Sequence, residues 1–302
     1  MAFITVKQAS EKWGISERRI RTLCVEGRID GVFMSGKTWN IPDNAQKPTD
    51  ARVPKEEKTK IYFNKVDELK SQLDSCRPFT QGEMERLNED FMVMFTYDSN
   101  AIGGNSLSRG ETALVLQGVT INQKSLKDHM EAIGHKKAFE YITEVAKTKE
   151  DLSEDIIKKI HSLVLLDKPE DRGVYRKVPV SIIGSSYNPP QQYILPKKME
   201  DLILKYKEWK NTRHIIEQVA LMHLEFESIH PFIDGNGRTG RLLINLQLMQ
   251  AGFPPIDIKQ TDITRYFKAF EDYQENQNEK PMVNLIKEYV LDKLEKYINI
   301  LS

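Results

Sequence analysis

His230-Pro-Phe-Ile-Asp-Gly-Asn-Gly-Arg-Thr-Gly-Arg241 is the stretch that decides how this chain reads. Val219, Leu221, Met222, Leu224, Phe226 and Ile229 form an apolar periodic run up to it, and Leu242, Leu246 and Met249 continue beyond it at helical spacing. The motif is therefore expected in a loop between two buried helices. Asp-Gly-Asn-Gly alone is a good turn, and most such turns are structural. A calcium loop counted from Asp234 fails, because its fifth position is Arg238 and its twelfth is Asn245. A zincin fails too, since His223 is followed by Leu-Glu-Phe-Glu. A phosphate site remains. Gly235, Asn236 and Gly237 let backbone N–H groups converge just before a helix N-terminus, an anion cradle. Arg238 and Arg241 project from one face of the first turn toward further phosphates. Asp234 supplies a carboxylate where a phosphate-bridging Mg²⁺ would sit. His230, a base that titrates near neutral pH, stands at the rim. Such a set suits attack by a hydroxyl on a nucleotide phosphate.

The rest of the chain is bounded by composition. Its 302 residues make one large domain or two smaller ones, and 44 Lys+Arg against 44 Asp+Glu exclude a chain-wide polyanion binder. At 39% hydrophobic and 29% charged it can bury a core. Two cysteines, Cys24 and Cys76, exclude both a disulfide scaffold and a Cys-rich zinc site. Lys7, Glu11 and Lys12 interrupt any signal core, and the longest apolar runs, such as Leu163–Leu166, fall far short of a membrane span. A soluble, cytoplasmic protein with no membrane partner is expected. Oligomeric state is not specified, and a homo-oligomer is compatible with everything above.

The expected class is mainly α. Val66, Leu69 and Leu73 sit at helical spacing, as do Met84, Leu87 and Phe91, and Ala138, Ile142 and Val145. One segment differs: Val178–Ile183 and Tyr193–Leu195 are short β-type runs around the turn-rich Gly184–Pro190, which predicts an exposed hairpin. Pro42, Pro48 and Pro54, with almost no apolar periodicity between them, predict a linker at 46–60. It would divide a module at 1–45 from a domain at 61–302. Residues 1–60 carry 12 Lys+Arg against 8 Asp+Glu, so the basic bias lies in the N-terminal part.

In that module Thr5 can cap a first helix carrying Val6, Ala9 and Trp13, which Gly14 stops. Ser16 can cap a second, with Ile15, Ile20 and Leu23 buried and Arg18, Arg19 and Arg21 presented, until Gly27 ends it. Ile29–Val32 and Thr38–Ile41 around Met34-Ser-Gly-Lys37 suggest a small β wing. Together these resemble a winged helix-turn-helix of the MerR/excisionase type. The resemblance implies a second helix in a DNA major groove, with Arg18, Arg19 and Arg21 on phosphates or base edges of duplex DNA. A solvated basic helix in a protein-interaction module is the other reading.

Residues His230 to Arg241 match, without a gap, the signature H-x-F-x-[DE]-G-N-G-R-x-x-R, and here the chain closely resembles the Fic family. Eight or so fixed letters, at roughly one in twenty each, make coincidence negligible. The resemblance covers residues 60–295 and includes the Gly173-x-Tyr-Arg176 turn, the Pro189-Pro190 hairpin and the Gly252-x-Pro-Pro255 loop. It implies a helical core with a β-hairpin flap, and AMP transfer from ATP to a Ser, Thr or Tyr hydroxyl of a target protein. Carried over, His230 would deprotonate the hydroxyl and Asp234 would hold Mg²⁺. Gly235, Asn236 and Gly237 would cradle the α- and β-phosphates, Arg238 would hold the β-phosphate and Arg241 the γ-phosphate. The flap would grip the target by strand addition. Asn245 and Tyr266 would line the adenine pocket or belong to the core, and Phe232 would be a packing anchor.

Ser99-Asn-Ala-Ile-Gly-Gly-Asn105 resembles the inhibitory-helix motif [ST]-x-x-x-E-[GN] of autoinhibited Fic proteins, on a helix near 96–106. The family's Glu pairs with the second motif arginine, here Arg241, and misplaces the γ-phosphate; this chain has Gly103 there. Glycine inside a helix costs about 1 kcal/mol relative to alanine, so the Gly-Gly pair looks more like an engineered Glu→Gly replacement than a natural choice. Natural drift in an enzyme regulated elsewhere is the alternative. His129, His135, His161, His214 and His223 read as structural. Two functions compete: an adenylyltransferase with a DNA-binding appendage, and a transcription regulator whose core senses nucleotide. The intact His230 favours the enzyme, because a sensor has no need of a base.

Overall fold

The computed structural model describes residues 2–36, 38–47, 55–182 and 185–301, with the backbone alone for 55–62. By its contacts the chain divides into two units, Met1–Ile61 and Tyr62–Ser302.

In the first unit, β1 (Phe3–Ile4) leads into α1 (Val6–Trp13), followed by α2 (Glu17–Val25), β2 (Phe33–Ser35) and β3 (Thr38–Pro42). Thr5 caps α1 in a full capping box with Gln8, and Gly14, at φ 65°, ends it in the left-handed region that glycine enters without steric cost. Ser16 caps α2 through the Arg19 N–H. The strands form one antiparallel sheet in the order β1-β3-β2, with Ile4 opposite Ile41 and Phe33 opposite Asn40. Val6, Ala9, Trp13, Ile20, Leu23, Ile29 and Ile41 close a small core. Two details differ from expectation. β1 was not foreseen, because two residues carry no periodicity. The first wing strand lies at Phe33–Ser35 and not at Ile29–Val32, where Gly31 turns the chain at φ 73°. Lys37 of the expected wing turn lies outside the described residues.

Of the expected linker, residues 48–54 lie outside the described residues, while 55–60 open α3 (Lys55–Ser75). Lys and Glu there have good helix propensity, so a lack of apolar periodicity was a poor guide. The second unit continues with α4 (Gln81–Ile102), α5 (Arg109–Leu116), α6 (Leu126–Thr148), α7 (Glu154–Val164), α8 (Leu195–Thr212), α9 (Ile215–Ile229), α10 (Asn236–Gln250), α11 (Ile263–Asn276) and α12 (Lys280–Leu301). α9 and α10 are buried nearly all round and form the centre, as helices with apolar residues on every face must. α6 and α7 pack on α10, and α8, α11 and α12 on α9. Gly240 lets α10 approach α9 closely: a Cβ there would meet Glu227 and the His223 ring at 2.7 Å. No helix among the described residues is long and apolar enough to cross a membrane.

The expected flap hairpin is corrected. None of the described residues of 178–195 lies in a strand; Gln192–Ile194 is a 3₁₀ turn and Leu195 opens α8. Ile183 and Gly184 of that segment lie outside the described residues. Pro179, Pro189 and Pro190 have no N–H to give a ladder. The Arg176 guanidinium joins the two sides instead, donating to the carbonyls of Val178 (3.1 Å) and Pro190 (2.5 Å).

Candidate active site

The motif loop is made by two helix ends. α9 stops at His230, whose backbone takes the left-handed conformation (φ 48°, ψ 60°) and whose N–H closes on the Phe226 carbonyl. Gly235, at φ 75°, then starts α10. The turn is tied by Asn236, whose side-chain amide donates to the Phe232 carbonyl (2.9 Å) and accepts from the Phe232 N–H (3.0 Å). Phe232 is fully buried and stacks on the His161 ring, 3.7 Å between centroids. His161 accepts from the Gly173 N–H at Nδ1, which puts its proton on Nε2, facing the Asp234 carbonyl at 2.9 Å. Burial lowers its pKa to about 4, so it is a neutral brace for the loop.

Around this loop the charged residues are already paired. Asp234 accepts from Lys168 Nζ (2.9 Å), from its neighbouring Gly235 N–H (2.6 Å) and from Arg238 (3.3 Å). Burial, the largest single influence, pushes its carboxyl up; Lys168, Arg238 and the Gly235 N–H together outweigh it and hold the pKa at about 2. Arg238 also faces Glu131 of α6 at 3.1 Å. Arg241 donates through Nε to Ser99 Oγ (3.0 Å), through Nη2 to the Ser99 carbonyl (2.5 Å) and through Nη1 to the Tyr266 hydroxyl (3.3 Å). Both arginines are buried. A buried guanidinium with carboxylate, carbonyl and hydroxyl partners is oriented before any ligand arrives. The first N–H groups of α10 have no intrahelical partner, which leaves the cradle's donors at the same end.

His230 caps α9 at the start of the loop, with its side chain 18% exposed. Its carbonyl accepts from Arg176 Nε at 2.8 Å. Burial lowers the imidazole pKa to about 4, reinforced by Arg176 and opposed by the Glu227 backbone carbonyl and the Asp234 carboxylate, so the ring is neutral at pH 7. A neutral imidazole is the form that can take a proton.

The motif residues and Ser99 thus converge. Gly103 is exposed at the C-terminal end of α4, and its glycine pair is not inside the helix as expected. Gly104 (φ 90°) donates to the Ala101 carbonyl and Asn105 to the Asn100 carbonyl, a Schellman stop for which glycine suits the left-handed position. Gly103 itself has φ −82°, open to any residue. Asn245 has both amide atoms bonded to the Ile256 backbone (2.9 and 2.8 Å), and Tyr266 is buried between His223 and Arg241, so each already has polar partners within the protein. His129 and His135 are buried. Lys168, Glu131, Arg176 and Glu227 were not singled out as site residues. Only Arg176, within the Gly173-x-Tyr-Arg turn, and Glu227, one turn before His230, left a local signal.

Residues 151–248 match the model of the Fic/DOC family. The chain is 35% identical over 214 residues to a protein adenylyltransferase Fic of Nematostella vectensis, covering 68% of this chain and 48% of that protein. A Fic-domain-containing signaling protein from Bacteroides thetaiotaomicron is similar in structure, with TM-score 0.72 and 28% identity over 78% of this chain and 96% of that one. A Caenorhabditis elegans Fic-1 fragment gives TM-score 0.71 and 26% identity, over 81% and 73%. The chain spans about half the length of the curated relatives it matches. The segment that builds the loop, its histidine and its two buried arginines is therefore the one that matches Fic/DOC proteins.

Proposed function

We propose that this protein transfers AMP from ATP to a hydroxyl side chain of target proteins, itself included. The observation that carries the reading is the neutral His230 ring poised beside a helix N-terminus and two preoriented arginines. The target hydroxyl gives its proton to His230, its oxygen bonds to the α-phosphorus, and pyrophosphate leaves. The N–H groups at Gly235, Asn236 and Gly237 bind the α- and β-phosphates; Arg238 takes the β-phosphate and Arg241 the γ-phosphate. ATP must displace existing partners, Glu131 from Arg238 and Ser99 from Arg241. The donor set fits a phosphate-bridging Mg²⁺, since Asp234 is an ionised, half-buried carboxylate and this ion needs only one or two of them alongside phosphates. Bound there, the ion would offset phosphate charge. The name of the Nematostella relative, a protein adenylyltransferase, supports the reaction. Incubation with labelled ATP and Mg²⁺ tests it: label on the chain or on lysate proteins is expected, and ATP hydrolysis without protein labelling would overturn it.

With no carboxylate at 103, Arg241 is free to exchange Ser99 for phosphate, so the inhibitory position is disarmed in this reading. The division into residues 1–45, 46–60 and 61–302 serves it: a winged helix-turn-helix, a connection and a Fic domain. Arg18 and Arg21 lie opposite the buried Ile20, Leu23 and Cys24 of α2, with Arg19 at the flank; Arg21 pairs with Glu17 at 2.7 Å. That exposed pair is weak enough to yield to a phosphate. The intact chain is expected to bind duplex DNA with an affinity that falls steeply as salt rises, and Arg18→Ala, Arg19→Ala and Arg21→Ala together should abolish it. Salt-insensitive or unchanged binding in the triple variant favours a protein-interaction module.

A further inference from the structure

Glu227, one helical turn before His230 on α9, brings a carboxylate oxygen to 3.7 Å from His230 Nδ1. We propose that Glu227 is a positioning residue for His230, an inference that rests on the AMP-transfer reading. Its carboxylate keeps Nδ1–H turned inward, so that Nε2 carries the lone pair that receives the target's proton.

Three observations carry it. First, His230 Nδ1 and Glu227 Oε1 are both buried and have no hydrogen-bond partner. Buried polar atoms are nearly always satisfied, and the carboxylate oxygen nearest the orphaned Nδ1 is the other one, Oε2, so an unpaired ring nitrogen beside a carboxylate demands a reason. A separation of 3.7 Å is beyond a hydrogen bond, yet catalytic hydrogen bonds are often long before substrate binds and tighten in the complex. Second, the backbone that aims the ring is held on both sides, by the Phe226 carbonyl under its N–H and by Arg176 on its own carbonyl. Third, the close approach of α10 shapes the carboxyl's place: a Cβ on Gly240 would come within 2.7 Å of Glu227 Oε1. An oxygen sealed in this way is costly to bury, and no hydrogen bond compensates Oε1.

The step balances. The target O–H proton moves to His230 Nε2, the target oxygen bonds to the α-phosphorus, and the bond from that phosphorus to pyrophosphate breaks. The imidazolium so formed faces an ionised Glu227, and its proton passes to water after product leaves. The groups facing Glu227 are His223 and His230 on its own helix, Arg241 from α10 and Tyr266 from α11; Arg176 and Asp234 face His230 in turn. Burial holds His223 and His230 neutral and pushes the Tyr266 hydroxyl up. Burial also raises Glu227 to about 7, against the pull of Arg241. It is the member of this set that changes charge near neutrality, so transfer should rise with pH as Glu227 ionises.

The test uses the full chain, E227Q and E227D, with labelled ATP, self-transfer followed across neutral pH, and nitrogen chemical shifts of His230. For E227Q we expect kcat lower by about 10–100-fold, the range for removing a hydrogen-bond partner behind a functional histidine. KM for ATP should be unchanged and the rise near neutral pH lost. E227D should retain the rise at an intermediate kcat. The shifts should report Nδ1–H in the parent and a changed tautomer in E227Q, a readout independent of turnover. Parent-like kcat, pH profile and tautomer in E227Q would overturn the proposal. So would equal losses in E227Q and E227D that track thermal stability. A parent chain that transfers no AMP while its His230 shifts still report Nδ1–H in wild type alone overturns the AMP-transfer reading and leaves the positioning contact standing.

Discussion

His230→Ala is expected to slow AMP transfer by about 10²–10⁴, the usual worth of a positioned general base, while ATP binding stays nearly intact. The separation of the two effects follows from geometry. The groups proposed to bind phosphate are Arg238, Arg241 and the start of α10, and the partners that hold the two arginines do not include the His230 side chain. What His230 contributes to the fold is its backbone: the N–H to Phe226 and the carbonyl to Arg176, both kept by alanine. Alanine in a left-handed conformation costs something at φ 48°, but histidine already bears a similar strain. The ring's pKa near 4 also fixes the sign of the pH effect. His230 is a competent base throughout the neutral range and loses that capacity as pH falls through about 4. Transfer rates and ATP affinities measured on the same preparations decide the matter. Equal rates in variant and parent would remove His230 from the chemistry; parallel loss of rate and affinity would make it a ligand-binding residue instead.

How much of this was legible before the structure depends on how far apart the partners lie in sequence. The motif loop could be read because its parts are contiguous: the apolar run of α9, the glycines that turn the chain and the arginines on the first turn of α10 sit within a dozen residues. The caps at Thr5, Ser16 and Gly14 were readable for the same reason. Lys168 was not, since its partner Asp234 is 66 residues away and a single lysine in a loop carries no pattern. Glu131 looked like any charged residue on a long helix until α6 packed against α10 and set it on Arg238. The hairpin failed where β-type side chains were weighed above Pro179, Pro189 and Pro190, which cannot donate to a ladder. Asn245 and Tyr266 could not be assigned because a polar residue on an apolar helix serves ligand and backbone equally well until its partner is known. The glycine pair at 103–104 was misjudged as a helix interior. It is the helix's end, which a Gly-Gly-Asn run also signals.

That correction sharpens the expectation for Gly103→Glu. Ser99 and residue 103 are four apart on α4, hence on one face, and side chains on a helix lean back toward its N-terminus. A glutamate at 103 therefore leans over Ser99, whose hydroxyl and carbonyl already hold Arg241 at 3.0 and 2.5 Å. The backbone admits it without strain, since φ is −82° and the nearest obstacle to a Cβ is the Asn100 carbonyl at 3.2 Å, inside the helix's own turn. Gly104 keeps the left-handed position, so the Schellman stop survives. Arg241 is buried, which makes a charge-assisted, bidentate pair with a carboxylate far stronger than its exposed counterpart. Competition of about 3 kcal/mol with the γ-phosphate would lower productive ATP binding by roughly a hundredfold. The parent chain should label itself readily and Gly103→Glu should be nearly silent. Gly103→Gln, of equal length but uncharged, should recover most of the activity. Self-labelling of the three proteins at equal concentration separates charge from bulk. If glutamate and glutamine slow the reaction alike, side-chain volume at the end of α4 is responsible; if glutamate labels as fast as glycine, residue 103 does not reach Arg241 and the inhibitory assignment falls.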